Sequence, residues 1–243
     1  IFKENRIDAV FASHENFLGP GLLSKFAFKY ERPLFFMNQF EINSPSELFE
    51  NHKRYVFYPK YFEALDREVK VNGLRWAEET LGRRISGEIG VSMPYQIESA
   101  FTESSIERQL VPSNKKKVLI LSHDLFDNPH AYEKMNYEDF WSWMNYLAQL
   151  ATNFPEIEWY IKIHKDYSQV EEKLVRLFCE KYKHIKWINP IASFHQLSQE
   201  GLTACITCFG SVGHELPLLN IEVINCSFNP QIAYSFNSHC LDG

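Results

Sequence analysis

Between residues 115 and 226 the sequence alternates short apolar runs with stretches of helical periodicity, and few folds accommodate that alternation. The run 118–121 is apolar throughout, as expected of a strand buried on both faces. Repeated strand-helix-strand units join through right-handed crossovers, so the pattern predicts an α/β fold with a parallel sheet. Five strands are predicted, at residues 118–121, 159–163, 185–188, 204–207 and 222–225.

The first two predicted helices of this region carry start signals. Asn136 is placed to cap the first helix, with Asp139 in its first turn. Ser168 and Glu171 have the spacing of a capping box at the start of the second. Their buried faces are predicted from helical spacing as Phe140, Trp143, Met144, Leu147, Leu150 and Ala151, then Val170, Leu174, Leu177 and Phe178.

The first hundred residues are less regular and predict a second, partial α/β lobe. Residues 85–114, rich in Ser and Pro, have the composition of a linker. We therefore expect two Rossmann-like lobes, 1–112 with the linker and 113–243, and the first lobe is expected to be incomplete because the pattern begins abruptly at Ile1. The predicted elements of the first lobe are strands at 7–12 and 33–37 and helices at 21–30, 61–69 and 74–81.

The composition argues against several classes of function for this chain. The 31 acidic residues outnumber the 25 basic ones, giving a formal charge of −6, which argues against binding a nucleic-acid backbone. No apolar stretch approaches the roughly 20 residues of a membrane span, and we predict a cytoplasmic protein. The five cysteines are an odd number without a secreted disulfide framework. Cys205 and Cys208 form a C-x-x-C, but their place in an apolar run favours a buried strand over a metal or redox site.

Polar segments follow four of the predicted strands. They are residues 122–130, His164, residues 210–215 and residues 225–230. In an open parallel sheet, ligands bind at the carboxyl ends of the strands. We therefore expect these segments to converge on one ligand site.

The segment 210–215 has the composition of a phosphate-binding turn. Gly210 and Gly213 let backbone approach a ligand closely, and the helix that follows offers N–H groups and a positive dipole to an anion. The Ser211 hydroxyl would add a donor, and Glu215 could accept both hydroxyls of a ribose. The alternative is an ordinary strand-to-helix turn whose Glu favours the helix N-terminus.

His164 is the second candidate for contact with a phosphate. It follows an apolar strand between Lys162 and Lys165, so its imidazole could stabilise charge on a departing nucleotide. The simpler interpretation is a polar residue at a strand end. The two lysines favour the anion-binding role.

Two further polar clusters contain residue types that could carry chemistry. His123, Asp124, Asp127 and His130 have residue types found in metal sites, but their spacing fits no standard ligand motif, so no metal and no other cofactor is predicted. In the first lobe, His14 or Glu15 follows a strand and could take a proton from an acceptor hydroxyl. A polar loop explains the same residues equally well.

Several of these motifs, in this order, resemble the bacterial capsular and surface-polysaccharide biosynthesis proteins, a glycosyltransferase group of two-lobed GT-B architecture. The likeness covers about residues 118–236, while the first lobe matches loosely through His14 and residues 19–27. The family has Lys-Pro-His-Pro where this chain has Lys162-Ile163-His164-Lys165, so this chain lacks both prolines. The matching segments are 123–130, 139–143, 162–165, 207–215 and 229–234.

The resemblance implies a glycosyltransferase whose 113–243 lobe binds a nucleotide-sugar donor, such as a CMP-sugar, while the 1–112 lobe presents a glycan or lipid-linked acceptor at the inner face of the membrane. In related sialic-acid and Kdo transferases, a His and a Ser or Thr hold the donor phosphate. The resemblance gives those roles to His164 and Ser211, with ribose binding by Glu215. The predicted donor-binding set is completed by His123, Asp124, Gly210 and Gly213. Two alternatives remain: a CDP-polyol phosphotransferase, and a non-catalytic lobe that binds carbohydrate or a partner.

Overall fold

A parallel sheet of six strands forms the centre of the computed structural model. The structure describes residues 5–13, 18–37, 42–46, 54–92, 96–102, 106–127, 135–164, 168–208 and 210–240. Within those ranges, no helix is both long enough and apolar enough to cross a bilayer.

The N-terminal region forms a small sheet followed by helices. Strands β1 and β2, which helix α1 connects, pair in parallel, and β3 pairs antiparallel with β2. A separate small core of Val10, Ala27, Leu34 and Phe36 lies between the sheet and α1. The elements are β1 (Val10–Ala12), α1 (Leu18–Lys29), β2 (Leu34–Met37), β3 (Ile42–Asn43), a 3-10 turn (Arg54–Phe57), α2 (Tyr58–Ala64) and α3 (Arg67–Ile85).

The C-terminal region contains the large sheet. All five predicted strands are confirmed, with ends within one residue of those expected, and β9 is an additional edge strand. The elements are β4 (Lys117–Leu121), α4 (Phe140–Ala151), β5 (Glu158–Lys162), α5 (Gln169–Lys181), β6 (Ile185–Trp187), α6 (Phe194–Gln199), β7 (Ala204–Thr207), α7 (Val212–Glu215), β8 (Glu222–Asn225) and β9 (Ser238–His239). Short 3-10 turns lie at Leu216–Leu219 and Pro230–Ala233.

Side chains alternate across the sheet and bury two cores. From β4, Val118 and Ile120 join the core under α4 and α5, whereas Leu119 and Leu121 join the core under α6. Both faces are therefore covered, as parallel sheets require. The second core also includes Phe101 and Leu110, so the predicted linker packs against the large sheet.

The strand order is β6-β5-β4-β7-β8-β9, with every pair parallel. In sequence terms this is the 3-2-1-4-5-6 order of the doubly wound Rossmann fold. The chain runs outward from β4 in one direction and from β7 in the other. The loops that leave β4 and β7 consequently diverge, and a crevice opens between them.

Two helix details differ from the sequence prediction. Asp139, rather than Asn136, is the N-cap of α4, and its carboxylate accepts from the Ser142 N–H at 2.7 Å. The capping box of α5 is confirmed, since the Glu171 N–H donates to the Ser168 hydroxyl at 3.1 Å.

The buried stripe of α5 was predicted partly wrongly. Val170 and Leu177 are 60% and 49% exposed, whereas Val175 and Phe178 are within the core. Glu171, four residues before Val175, takes the first position of the stripe and is buried as well. The helix is thus rotated toward the loop that follows β4.

Two valines of α5 test this orientation. We expect Val175→Ala, which empties part of the core, to lower the free energy of unfolding by about 2 kcal/mol. The matched change Val170→Ala removes the same atoms from an exposed site and should alter it by less than about 0.5 kcal/mol. Urea denaturation measures both. Equal losses in the two variants would contradict the observed rotation of α5.

Candidate functional site

A cavity of about 480 Å³ lies at the crevice between the loops after β4 and β7. The walls come from the segments that follow β4, β5 and β7, from the end of α3 and from residues 96–101. Six of the predicted donor-binding residues line it: His123, Asp124, His164, Gly210, Ser211 and Glu215. The topology therefore brings together side chains that are up to 92 positions apart in the sequence, from His123 to Glu215.

The turn between β7 and α7 is tightly folded on itself. The Gly213 N–H donates to the Gly210 carbonyl at 3.0 Å, and the His214 N–H donates to the Ser211 carbonyl at 3.1 Å. Those two amides are consequently turned back into the loop. This differs from the sequence expectation of a helix start whose N–H groups face a ligand, because α7 is a single turn followed directly by a 3-10 turn.

Glu215 is the most constrained acid of the site. Its side chain is 2% exposed, and one carboxylate oxygen accepts from the Arg84 Nε at 2.6 Å and forms an ion pair with Arg84 Nη2. The other oxygen accepts the Ser211 hydroxyl proton at 3.1 Å. Both oxygens are therefore occupied within the protein, whereas the sequence interpretation had them accepting ribose hydroxyls.

Three carboxamide side chains hold the same loop from behind. Each donates from its NH2 group to a carbonyl of the turn, and each is at least 93% buried. A buried carboxamide with a fixed partner rigidifies the backbone that it contacts. The pairs are Asn229 to Cys208 at 2.6 Å, Gln231 to Gly210 at 3.0 Å and Asn237 to Gly213 at 2.7 Å.

Gly213 has a packing role rather than a place in the cavity wall. A Cβ added there would lie 2.3 Å from Cγ of the buried Gln231 side chain, a distance that no packing tolerates. Only glycine fits this position, and its backbone conformation is otherwise ordinary. Gly213 thus supports the turn, while Gly210 and Ser211 face the cavity.

His164 lies at the cavity wall directly after β5, and Lys162 contributes from the strand itself. The Lys162 Nζ donates to the Pro190 carbonyl at 2.8 Å and stands 5.5 Å from the centre of the Phe194 ring. The Lys162 side chain is 2% exposed, so its charge acts in a poorly solvated environment. A cationic side chain thus lies beside His164.

The segment after β4 supplies an imidazole and two carboxylates. The His123 ring stacks on Phe140 with a centroid distance of 4.6 Å, and its Nδ1 lies 3.7 Å from the Asp127 carboxylate. Burial lowers the pKa of His123, which the charge of Asp127 partly opposes and that of His164 reinforces. Asp124 accepts from the Phe126 N–H at 2.9 Å, which fixes the turn.

Three carboxylates on the cavity wall contact cations or N–H groups of the protein. Because these charges are offset locally, the wall repels an anionic ligand less than a count of its acids suggests. The contacts join Glu88 to Arg83, Asp124 to the Phe126 N–H, and Glu215 to Arg84.

Some predicted residues lie outside the described residues. They are His14 and Glu15, proposed to act on the acceptor, together with His130 and Lys165. Among the residues that the structure describes, no three His, Cys, Asp or Glu side chains are grouped as a metal site. Cys205 and Cys208 are fully buried free thiols at β7, and burial raises the pKa of both.

Arg84 was missed by the sequence analysis. It lies in the last turn of α3, in a segment assigned to the first lobe, and reaches a loop 127 to 131 positions later. Its neighbour Arg83 has the same side chain, is exposed and pairs with Glu88. Sequence pattern alone does not distinguish the two arginines, because only the packing of α3 decides which one faces the cavity.

Glu171 lies beneath the loop that forms one wall. It is 1% exposed, and burial raises its pKa to about 7, reinforced by the nearby charge of Asp124. Hydrogen bonds from the backbone N–H groups of Ser168 and Leu125 oppose this shift. A buried carboxyl thus titrates near neutrality next to a residue of the cavity.

The fold and the cavity together define a Rossmann-like α/β protein with a cavity at the point where strand order reverses. No family model and no curated protein matches the sequence. Among solved structures, the chain is similar to KpsC of Thermosulfurimonas dismutans, described as a beta Kdo 2,4 transferase, with a TM-score of 0.55 and 14% identity. The match covers 95% of this chain and 72% of that one, and at this identity it establishes a likeness of fold.

Glu171 makes the stability of the protein depend on pH. Its pKa in the folded state, about 7, exceeds its ordinary value of 4.5, so the free energy of unfolding falls as pH rises between these values. This difference in pKa corresponds to a loss of about 3 kcal/mol at most. Glu171→Gln should remove this contribution to the change of the free energy of unfolding with pH. Urea denaturation at several values between pH 5 and pH 8 measures that change.

Glu180→Gln provides the control, since it removes an exposed negative charge from the same helix. This variant should retain the wild-type slope. A Glu171→Gln protein with an unchanged slope would show that the buried carboxyl does not titrate in this range.

Proposed function

We propose that this chain is part of a glycosyltransferase of GT-B type, in which the 113–243 lobe binds a nucleotide-sugar donor such as a CMP-sugar and the sugar is transferred to a surface-polysaccharide acceptor. The main support is the cavity at the strand-order reversal, because His164 and Ser211 both line it. Ligands of doubly wound folds bind at that position. The likeness to a structure described as a Kdo transferase supports the same class of reaction.

The donor phosphate would lie between the segments that follow β5 and β7. His164 and the Ser211 hydroxyl are the polar groups proposed to contact it, with the charge of Lys162 behind them. Donors fixed by the fold stabilise charge as it develops on a leaving phosphate, without reorganising during the reaction. Three carboxamides behind the turn supply the rigidity that this requires.

The rest of the nucleotide would extend along residues 96–101. This segment lines the cavity with three polar residues, Gln96, Glu98 and Ser99, followed by Ala100 and Phe101, so polar and apolar groups are both present along the wall. A mixed lining suits a nucleoside, which has hydrogen-bonding edges on an apolar ring. His123 and Asp124 line the same cavity and complete the proposed donor site.

The acceptor would approach from the side of residues 1–112, as the two-lobed architecture implies. His14 or Glu15 is proposed to take the proton from the acceptor hydroxyl. Bringing donor and acceptor together in one cleft converts a bimolecular reaction into a positioned one. The proposed acceptor is a surface glycan or its lipid-linked precursor, met at the inner face of the membrane in the cytoplasm.

Isothermal titration calorimetry with CMP-, CDP- and UDP-linked donors tests the site. We expect one nucleotide class to bind, and Ser211→Ala and His164→Ala each to weaken binding about tenfold, the cost of one charge-assisted hydrogen bond. Ser198→Ala and His184→Ala alter the same residue types away from the cavity, where they contact backbone carbonyls. These two controls should bind as the wild type does.

Unchanged affinity in both Ser211→Ala and His164→Ala would remove the site assignment. Product analysis then separates the reaction classes, since transfer of a polyol phosphate leaves a new phosphodiester and transfer of a sugar does not. Donor hydrolysis by the protein would exclude a purely binding role.

A further inference from the structure

Arg84 is a buried cation at the cavity wall. Its side chain is 6% exposed, although the rest of α3 is largely exposed, and its guanidinium faces the β7–α7 turn. A buried arginine requires partners for its N–H groups, because an unpaired charge in this environment is costly. The distribution of those partners indicates what Arg84 does.

The guanidinium divides its donors between two structures. On one side, Nη1 donates to the Val91 carbonyl at 2.8 Å and lies 3.5 Å from the Gln96 side-chain oxygen. On the other side, Nε and Nη2 both engage Glu215. Arg84 therefore links the segment entering the cavity wall to the turn that carries Ser211.

Ser211 is the third member of this network. The Ser211 hydroxyl donates to a carboxylate oxygen of Glu215 at 3.1 Å, and Arg84 Nη2 lies 3.5 Å from the hydroxyl oxygen of Ser211. A hydroxyl has one proton, so while Ser211 donates to Glu215 it cannot also donate to a ligand. Binding a phosphate through Ser211 requires the proton to turn away from Glu215.

We propose that Arg84 is a positioning residue for anion binding, because it keeps the Glu215 carboxylate hydrogen-bonded when the Ser211 hydroxyl turns toward a phosphate in the cavity. The proposal deepens the proposed function and rests on it. Arg84 Nε and Nη2 both contact Oε1 of Glu215, whereas Ser211 contacts Oε2, so the carboxylate keeps its ion pair when the Ser211 contact is lost. The buried charge thus stays paired while the hydroxyl faces a ligand.

Lysine cannot replace this arrangement. An ammonium is a point charge, whereas the planar guanidinium presents its N–H groups in a fixed fork to Glu215 and to Val91 at once. In Arg84→Lys the carboxylate would depend more on the Ser211 proton and would hold it more firmly. The loss of anion affinity in Arg84→Lys would therefore arise because the Ser211 hydroxyl is less available to the anion.

A double-mutant cycle tests the proposal, with inorganic pyrophosphate as the probe and calorimetry as the readout. Arg84→Lys and Ser211→Ala should each weaken binding about tenfold, and the double variant should also be about tenfold weaker, not a hundredfold. Arg83→Lys changes the adjacent exposed arginine and should stay within about twofold of wild type. An additive cycle would overturn the proposal, since an arginine that merely stabilises the fold acts independently of Ser211.

A second variant covers the case in which Arg84→Lys does not fold. Glu215→Gln keeps an oxygen for Arg84 and offers an N–H to the Ser211 oxygen, which frees the Ser211 proton. Its affinity for pyrophosphate should rise severalfold, and Ser211→Ala should then weaken binding more in this variant than in the wild type, because the freed hydroxyl contributes more to binding. An equal effect of Ser211→Ala in the two backgrounds would contradict the proposal.

The outcome is separable from that of the proposed function. Binding of pyrophosphate with a non-additive cycle, but without binding of any nucleotide donor, would support the role of Arg84 and reject the nucleotide-sugar assignment. Binding of a nucleotide donor with an additive cycle would support the nucleotide-sugar assignment and reject the role of Arg84. A wild-type protein that does not bind pyrophosphate would overturn the role of Arg84.

Discussion

The reversal of strand order between β4 and β7 is the constraint on which the rest of the structure depends. Every strand of the large sheet is parallel, so all the loops at their carboxyl ends lie on one edge. At the reversal, successive crossovers pass to opposite faces and leave a crevice that helices do not fill. The cavity, and with it the meeting of His123, His164 and Ser211, is a consequence of that topology.

The β7–α7 turn obtains its shape from contacts distant in sequence. Carboxamides from the segment after β8 hold its carbonyls from one side, and Arg84 holds Glu215 from the other. The Arg84–Glu215 pair is buried, so removing either partner would leave a charge that the interior cannot solvate. The turn is therefore fixed before any ligand arrives, which is the arrangement that electrostatic stabilisation of a leaving group requires.

The sequence predicted what depends on local pattern. The five strands of the large sheet and the capping box at Ser168 follow from short-range apolar periodicity and hydrogen-bonding chemistry, and all are present. The orientation of α5 was harder, because Glu171 takes a buried position that hydropathy assigns to an apolar residue. Arg84 could not be found at all, since nothing near it in the chain distinguishes it from Arg83. The partners of Glu215 and the packing of Gly213 against Gln231 likewise arise only in three dimensions.

The central claim is that the cavity at the strand-order reversal receives the phosphate of a nucleotide. A crystal structure of the protein with CMP, with UDP as the alternative, tests it most directly. We expect phosphate density in this cavity, within hydrogen-bonding distance of His164 and of the turn at Gly210 and Ser211. A nucleotide bound elsewhere on the protein, with this cavity empty, would contradict it.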